Sequence, residues 1–482
     1  GSEMCIRDRA DTDTLTPSGI TITSFNENLA TVNSNTGVVT PVKGAYGTAI
    51  IIIKAGSVQS LIRINIKPSV TDNPESVAKP MVATGASHTI ALKYDGSVWG
   101  WGDGELGALG TGDTIISTYP VKTCIESVSN ISAESVTLLI KNDRTAWICG
   151  DNYSGNAFPH LVSGEGDKVY NSENMASGFG HTIYKHYDGT VLAWGDNTYG
   201  QLGDGSVIST DSPVVVELEK IHSVAAGDDF SLALDYEGDV YAWGRNVYGQ
   251  IGENTSAYIN KPKKISNLSN IVKIAANGHN CLALDKDGRV YAWGLNTNGQ
   301  LGIDSTEPYI SKPTQITGLP KVMDIAAGKS HSLAVEESGT VWGWGNNNYY
   351  KLGFEGSGNY SKPEKTGIDN VLKIYAGNDV SAALNGSNRV LTWGSNLKGQ
   401  LGVSDIQNNT SQAQMVSIYN VREVITKNDH IMIFNYNGRG YSWGDNTYGQ
   451  LGNTKDTFSN IPTSIGNIEC EYASVNSTSS FM

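Results

Sequence analysis

The chain is written in short apolar runs separated by glycine and polar turns. SVAAG (223–227), SLALD (231–235) and VYAWG (240–244) follow one another, and after a polar loop the proline-led run KPKKI (261–265) closes the unit. No 3.6-residue apolar period is sustained, so strands rather than helices are predicted. A strand with one wet face alternates apolar and polar residues. SLAL and VYAW do not alternate, so both faces of these strands are expected to lie buried between neighbouring sheets.

The pattern repeats. Trp-Gly closes an apolar run at Trp101, Trp194, Trp243, Trp293, Trp344, Trp393 and Trp443, with successive spacings of 93, 49, 50, 51, 49 and 50. The long gap divides into 48 and 45 when Cys149-Gly150 is taken as a decayed Trp-Gly, since AWICGDN parallels LAWGDN. Trp147, two residues earlier on the same strand face, reads as local compensation for the missing indole. Eight units of four strand-length segments therefore run from about residue 79 onward. A ring of small sheets with only short edges, a β-propeller, is the architecture that buries such strands on both faces. The tryptophans are expected to fill the spaces between blades, and the glycine after each lets backbone turn or pass closely. WGDNTYGQLG itself occurs twice, at 194–203 and 443–452, with weaker versions between. That spread marks scaffold rather than a duplicated active site.

AAGKSHSLAV (326–335), AWGRNVYGQIG (242–252), AWGLNTNGQLG (292–302) and TWGSNLKGQLG (392–402) closely resemble the regulator of chromosome condensation repeat family. The resemblance covers residues 79–482 and implies a β-propeller, usually of seven blades. Eight units are counted here, and IECEYASVNSTSSFM (468–482) looks like the start of a ninth. Known members include an exchange factor for a small GTPase, a plant UV-B photoreceptor and a secreted β-lactamase inhibitor. The exchange factor implies a wedge projecting from one blade, and units of 45–51 residues leave no insertion for one. The photoreceptor's repeated Gly-Trp-Arg-His-Thr strings do not occur.

Composition narrows the partners. Gly reaches 55 of 482 residues, charged residues are 17%, and the formal net charge is −14. Phosphate-backbone binding needs clustered Lys and Arg, so no nucleic acid is expected. No apolar stretch approaches the roughly 20 residues of a membrane helix. Five scattered cysteines form neither a disulfide framework nor a zinc signature.

The N-terminal part has another texture. Residues 1–9 match nothing downstream and read as a non-native leader. Across 10–68, Leu29-Ala30-Thr31-Val32, Gly37-Val38-Val39-Thr40 and Gly47-Thr48-Ala49-Ile50 resemble part of a bacterial group-2 immunoglobulin-like domain, a small β-sandwich. Such domains are spacers on surface proteins, so the resemblance implies an extracellular or cell-surface location. Residues 69–78 read as a linker.

No catalytic constellation is present: GxSxG, HExxH and a Walker loop are all missing. Neither a cofactor nor a metal is expected. His88, His181, His331 and His430 recur at one repeat position, and equivalent residues of separate blades cannot converge on one ion, so a hydrogen-bonding role is assigned. His160, His186, His222 and His279 fall outside the pattern and read as loop or surface residues. Cys281 replaces a repeat serine as a small core residue. DKDG (285–288) opens like a calcium loop but sits where other units carry a hairpin turn. Tyr199, Tyr248, Tyr349 and Tyr448 share one loop position, open to two readings: packing on a neighbour, or display for binding. The loops that follow, GDGSVISTDSP and GENTSAYINKP among them, differ most between units and are where specificity is expected. The leading expectation is a monomeric, non-catalytic propeller that binds a protein or glycan outside the cell. An enzyme inhibitor is the alternative, and guanine-nucleotide exchange on a small GTPase is a third.

Overall fold

The structure is a computed structural model. It describes residues 20–24, 30–33, 39–41, 47–55 and 58–66, and then 81–469 except 86, 94, 134–136, 142–145, 151–158, 162–173, 186–188, 254–255, 405–407, 428, 437–438 and 454–455. The chain divides into two compact units, residues 1–73 and 74–482. The leader (1–9) and the linker (69–78) lie outside the described residues. In the first unit, Ile20–Ser24 pairs with Gly47–Ala55, which pairs with Val58–Ile66, and Ala30–Val32 pairs with Val39–Pro41. All of these pairings are antiparallel.

The second unit is eight four-stranded antiparallel sheets, each in simple sequence order, and among the described residues it contains no α-helix. They span residues 81–122, 128–161, 174–216, 221–264, 271–315, 322–365, 371–415 and 421–469, numbered here as blades 1 to 8. Blade 4 is typical, with strands Ile221–Ala226, Phe230–Asp235, Val240–Arg245 and Tyr258–Lys264. First strands pack on the first and second strands of the blade before, so they ring the axis. Their second strands are buried at nearly every position, as the unalternating runs required.

Each Trp-Gly is a β-bulge. Pairing between third and fourth strands skips the tryptophan, at Ala242/Gly244, Ala292/Gly294 and Gly343/Gly345 among others. A bulged residue is released from the ladder and re-aimed, and here the indole turns into the space between blades. The following glycine must accept the strain: Gly244 has φ +101°, and a Cβ there would lie 2.7 Å from the Asp229 carbonyl. Six of the seven indole N–H groups, those of Trp101, Trp243, Trp293, Trp344, Trp393 and Trp443, then donate to a main-chain carbonyl of the preceding blade, Trp243 to Gln201 at 2.9 Å and Trp293 to Gln250 at 2.9 Å.

The same bond closes the ring. Trp101 of blade 1 donates to the Gln450 carbonyl of blade 8 at 3.0 Å, and Thr89 donates to it at 3.2 Å. Val82, Ala91 and Trp101 share a core with Ile425, Met432, Phe434 and Ile465. The propeller therefore has eight blades, one more than the family norm. Ile468 and Glu469 are not the start of a ninth unit. They end the last strand of blade 8, Phe458–Glu469, where Glu469 pairs with Arg439. Residues 470–482 lie outside the described residues.

Blade 2 solves its missing tryptophan differently from expectation. Trp147 occupies the position of Trp99, Tyr241 and Tyr291, an aromatic that regular blades also carry, so it does not compensate. Gly110, whose counterpart Gly203 lies under Trp243, instead faces the Cys149 sulfur and the Pro159 ring. These two smaller groups fill the slot.

Candidate binding surface

The propeller has two ends. At one lie the turns between first and second strands and the long loops between third and fourth strands. At the other lie the hairpin turns between second and third strands and the links between blades.

The repeat string builds the loop end. The Asn246 side-chain oxygen accepts from the Ile251 N–H at 3.1 Å while its amide donates to the Glu253 carbonyl at 3.2 Å, and the Gln250 side-chain oxygen accepts from the Tyr248 N–H at 2.8 Å. Asn197 and Gln201 hold their loop in the same way. The loop is thus closed on its own backbone, a role for Asn and Gln that the apolar pattern did not reveal.

Beneath it lie the repeat histidines. His181 Nε2 is 3.1 Å from the Ser231 hydroxyl of the next blade, and Ser231 donates to the Gln201 carbonyl at 2.8 Å. The single hydroxyl proton is committed to that carbonyl, so the imidazole nitrogen must be the donor. His331 repeats this with Ser381 at 3.0 Å, and His88 meets Thr137 at 2.9 Å. Burial lowers His88 and His181 to about 4 and holds His331 well below its ordinary value. These rings are neutral seam contacts, and His430 is likewise buried at the equivalent place. Two of the rings lie against the glycine three residues before them: a Cβ on Gly178 would lie 2.3 Å from His181 Cε1, and one on Gly328 2.4 Å from His331 Cε1.

Other candidates fall as follows. His160 and His222 are strand residues, not loop residues, since the innermost and outermost strands extend further than the sequence suggested. His279 lies in a first-to-second-strand turn. Cys281 is buried, which pushes its thiol well up. DKDG is a hairpin turn in which Asp285 accepts from the Asp287 and Arg289 N–H groups, as Asp235 does from Glu237 and Asp239. Among the described residues no His, Cys, Asp and Glu side chains group as metal ligands, and no helix is long and apolar enough to cross a membrane.

The tyrosine position reaches onto the next blade. Tyr199 lies 4.8 Å from the Arg245 guanidinium, and Tyr248 lies 5.0 Å from the His279 ring. Tyr349 and Tyr448 are exposed. In blade 7 the position is Lys398, which donates to Asp445 at 3.0 Å. The side chains thus pack on one flank and present the other.

Around the axis at this end, turn bonds to turn. The Phe179 N–H donates to the Asp228 carbonyl and the Asp228 N–H to the Gly278 carbonyl, both at 2.8 Å. Phe179 is 80% exposed. Among the side chains described, the rim carries Asp103, Asp196, Asp228, Asp229, Asp379, Asp429 and Asp445 against Arg245, Lys329, Lys351 and Lys398. Three of these cations are already engaged, Arg245 with Asp229 at 2.9 Å, Lys351 with Asp379 at 2.6 Å and Lys398 with Asp445 at 3.0 Å. Burial, and then the nearby Asp379 and Asp445 carboxylates, raise Asp429. Phe179 in SGFGH stands out among the described turns of this kind as the one phenylalanine, tyrosine or tryptophan, the only signal for it in the sequence.

The opposite end is balanced. Lys122 meets Glu126 at 2.6 Å, Lys220 meets Glu237 at 3.5 Å, Arg289 meets Asp287 at 2.9 Å and Lys321 meets Glu337 at 3.0 Å. Apolar exposure is uneven too. Of eighteen large apolar side chains exposed among the described residues, nine lie in the loops and turns of the loop end, Ile208, Val247 and Leu397 among them. Only Tyr236 and Tyr419 lie in the turns and links of the other end, and the remaining seven are on outer strands.

A closed eight-bladed propeller with a recurrent seam and a variable loop end defines a class of repeat scaffold. The chain belongs to the RCC1-like domain family, which matches residues 56–323 and 270–480. It is 29% identical to the ultraviolet-B receptor UVR8 of Arabidopsis thaliana over 32% of this chain, a stretch that spans only 38% of that receptor. It is 27% identical to the guanine nucleotide exchange factor SRM1 of Saccharomyces cerevisiae, over 56% of this chain and 70% of SRM1. The solved structure of human WBSCR16 shares the fold with a TM-score of 0.57 at 20% identity, over 86% of this chain and 99% of that one.

Proposed function

We propose that this protein is a non-catalytic interaction module that holds a protein partner on the loop end of its propeller. The asymmetry of exposed apolar side chains carries this reading, because large side chains left in water together on one face favour association. The decisive test places a photo-crosslinking amino acid at position 247 on the loop end and, separately, at 236 on the opposite end. Crosslinked protein adducts are expected at 247 and not at 236; adducts at 236 alone overturn the reading. A glycan ligand would instead leave both positions silent and score on a glycan array.

Nucleotide exchange on a small GTPase is the second reading, favoured by the likeness to yeast SRM1. It is measured as release of labelled GDP from a GTPase panel, and no acceleration anywhere removes it. In our reading residues 10–68 serve as an immunoglobulin-like spacer that displays the propeller outside the cell. Loss of the protein when intact cells are shaved with protease supports that placement, and full protection refutes it.

A further inference from the structure

The partner's chemistry is written in the rim. Among the side chains described there, seven carboxylates face four cations, and three of the cations are spent on internal pairs. Asp103, Asp196 and Asp228 have no lysine or arginine partner among the described residues. Asp103 is held by the Ser87 hydroxyl at 3.4 Å and the Glu105 N–H at 2.8 Å. Asp196 accepts from Thr198, Gln201 and Ser209. Asp228 has only His279, at 3.9 Å, and burial lowers that imidazole so that it stays neutral. The exposed Phe179 is bonded through its own N–H to the Asp228 main-chain carbonyl, so the turn that carries this apolar side chain adjoins the turn that carries Asp228.

A purely anionic partner is repelled by this negative charge, and a neutral apolar one leaves the carboxylates stranded. Lysine and arginine satisfy both features, because their aliphatic stems lie on an aromatic ring while the charged head reaches a carboxylate. We infer that the rim at the loop end grips a lysine- or arginine-rich segment of a protein, with Phe179 as the apolar anchor and Asp228 and Asp429 as the charge contacts. This rests on the loop end being the binding face.

The test uses the full chain and fluorescein-labelled nona-arginine, read by anisotropy across salt concentrations. A protein of net charge −14 attracts polycations everywhere, so the controls carry equal charge changes on the opposite end. Phe179→Ala is expected to weaken binding about tenfold. Asp228→Asn with Asp429→Asn is expected to weaken it further and flatten its salt dependence, while Glu237→Gln with Glu337→Gln leaves both unchanged. Thermal melts confirm that each variant is folded, and Phe179→Ala is safe on that count because the ring is exposed. If the two ends respond alike, or only the opposite end responds, the inference is wrong. If nona-arginine ignores the rim while crosslinking at 247 persists, the cationic partner falls and the binding face stands.

Discussion

Between blades 3 and 4 the seam and the rim above it lie only a few residues apart, and they follow opposite rules. In the seam, Trp243 and Ser231 both donate to the Gln201 carbonyl and His181 donates to Ser231, so apolar area and polar groups are matched together. On the rim, Phe179 stands in water and Asp228 lacks a cation. The seam recurs around the ring because one sheet must stack on the next in each blade. The rim has no such constraint, and its turns read Phe179-Gly180, Asp228-Asp229, Gly278-His279 and Lys329-Ser330 in successive blades. One repeat string thus carries a constant interior and leaves its ends free to differ.

The comparison predicts unequal costs. Trp293→Ala removes a fully buried indole and its bond to Gln250, and should cost about 3–5 kcal/mol in a denaturant titration. A loss below about 1 kcal/mol would mean the seam is not what holds the blades.

The next largest effect is on pH. His88 and His181 fall from 6.5 to about 4 in the folded protein, so the unfolded chain takes up their protons first as pH drops. Their stabilisation is complete above about pH 6.5 and is lost as pH falls towards 4, on the order of 3 kcal/mol for each histidine. Melting temperatures measured from pH 7 to 4 should decline over that window, and His181→Gln should decline less steeply. An unchanged slope would place the ring in contact with water.

Cys149→Ala should cost about 1 kcal/mol, because Pro159 already fills part of the slot that tryptophan fills elsewhere. A cost equal to that of Trp293→Ala would contradict the packing described for blade 2. Smallest of all, Phe179→Ser should change stability by no more than about 0.5 kcal/mol in the same titration. A clear destabilisation would move Phe179 from the binding face into the scaffold.

Much of this was legible in the residues. Trp-Gly at steps of about 50 counted the blades, and unalternating apolar runs announced strands buried on both faces. The histidine position was recognisable as structural because its copies sit in different blades. Two things were hidden because they depend on geometry rather than residue type. Spacing alone makes Trp147 look like compensation, whereas Cys149 and Pro159, ten residues on, fill the slot. Asn246 and Gln250 looked like polar loop filler, but they close the loop on its own backbone.

The sequence by itself determined the strand pattern, the repeat and the seam chemistry, because each follows from local spacing and from which groups tolerate burial. Only the tertiary structure decided that eight blades close without a gap, with Trp101 bonded to Gln450 across the whole length of the array. Closure depends on the rotation between neighbouring blades, a quantity that no single repeat contains. The rim was decided there too, since Phe179, Asp228 and His279 come from three blades and meet only once the ring has turned them to a common mouth.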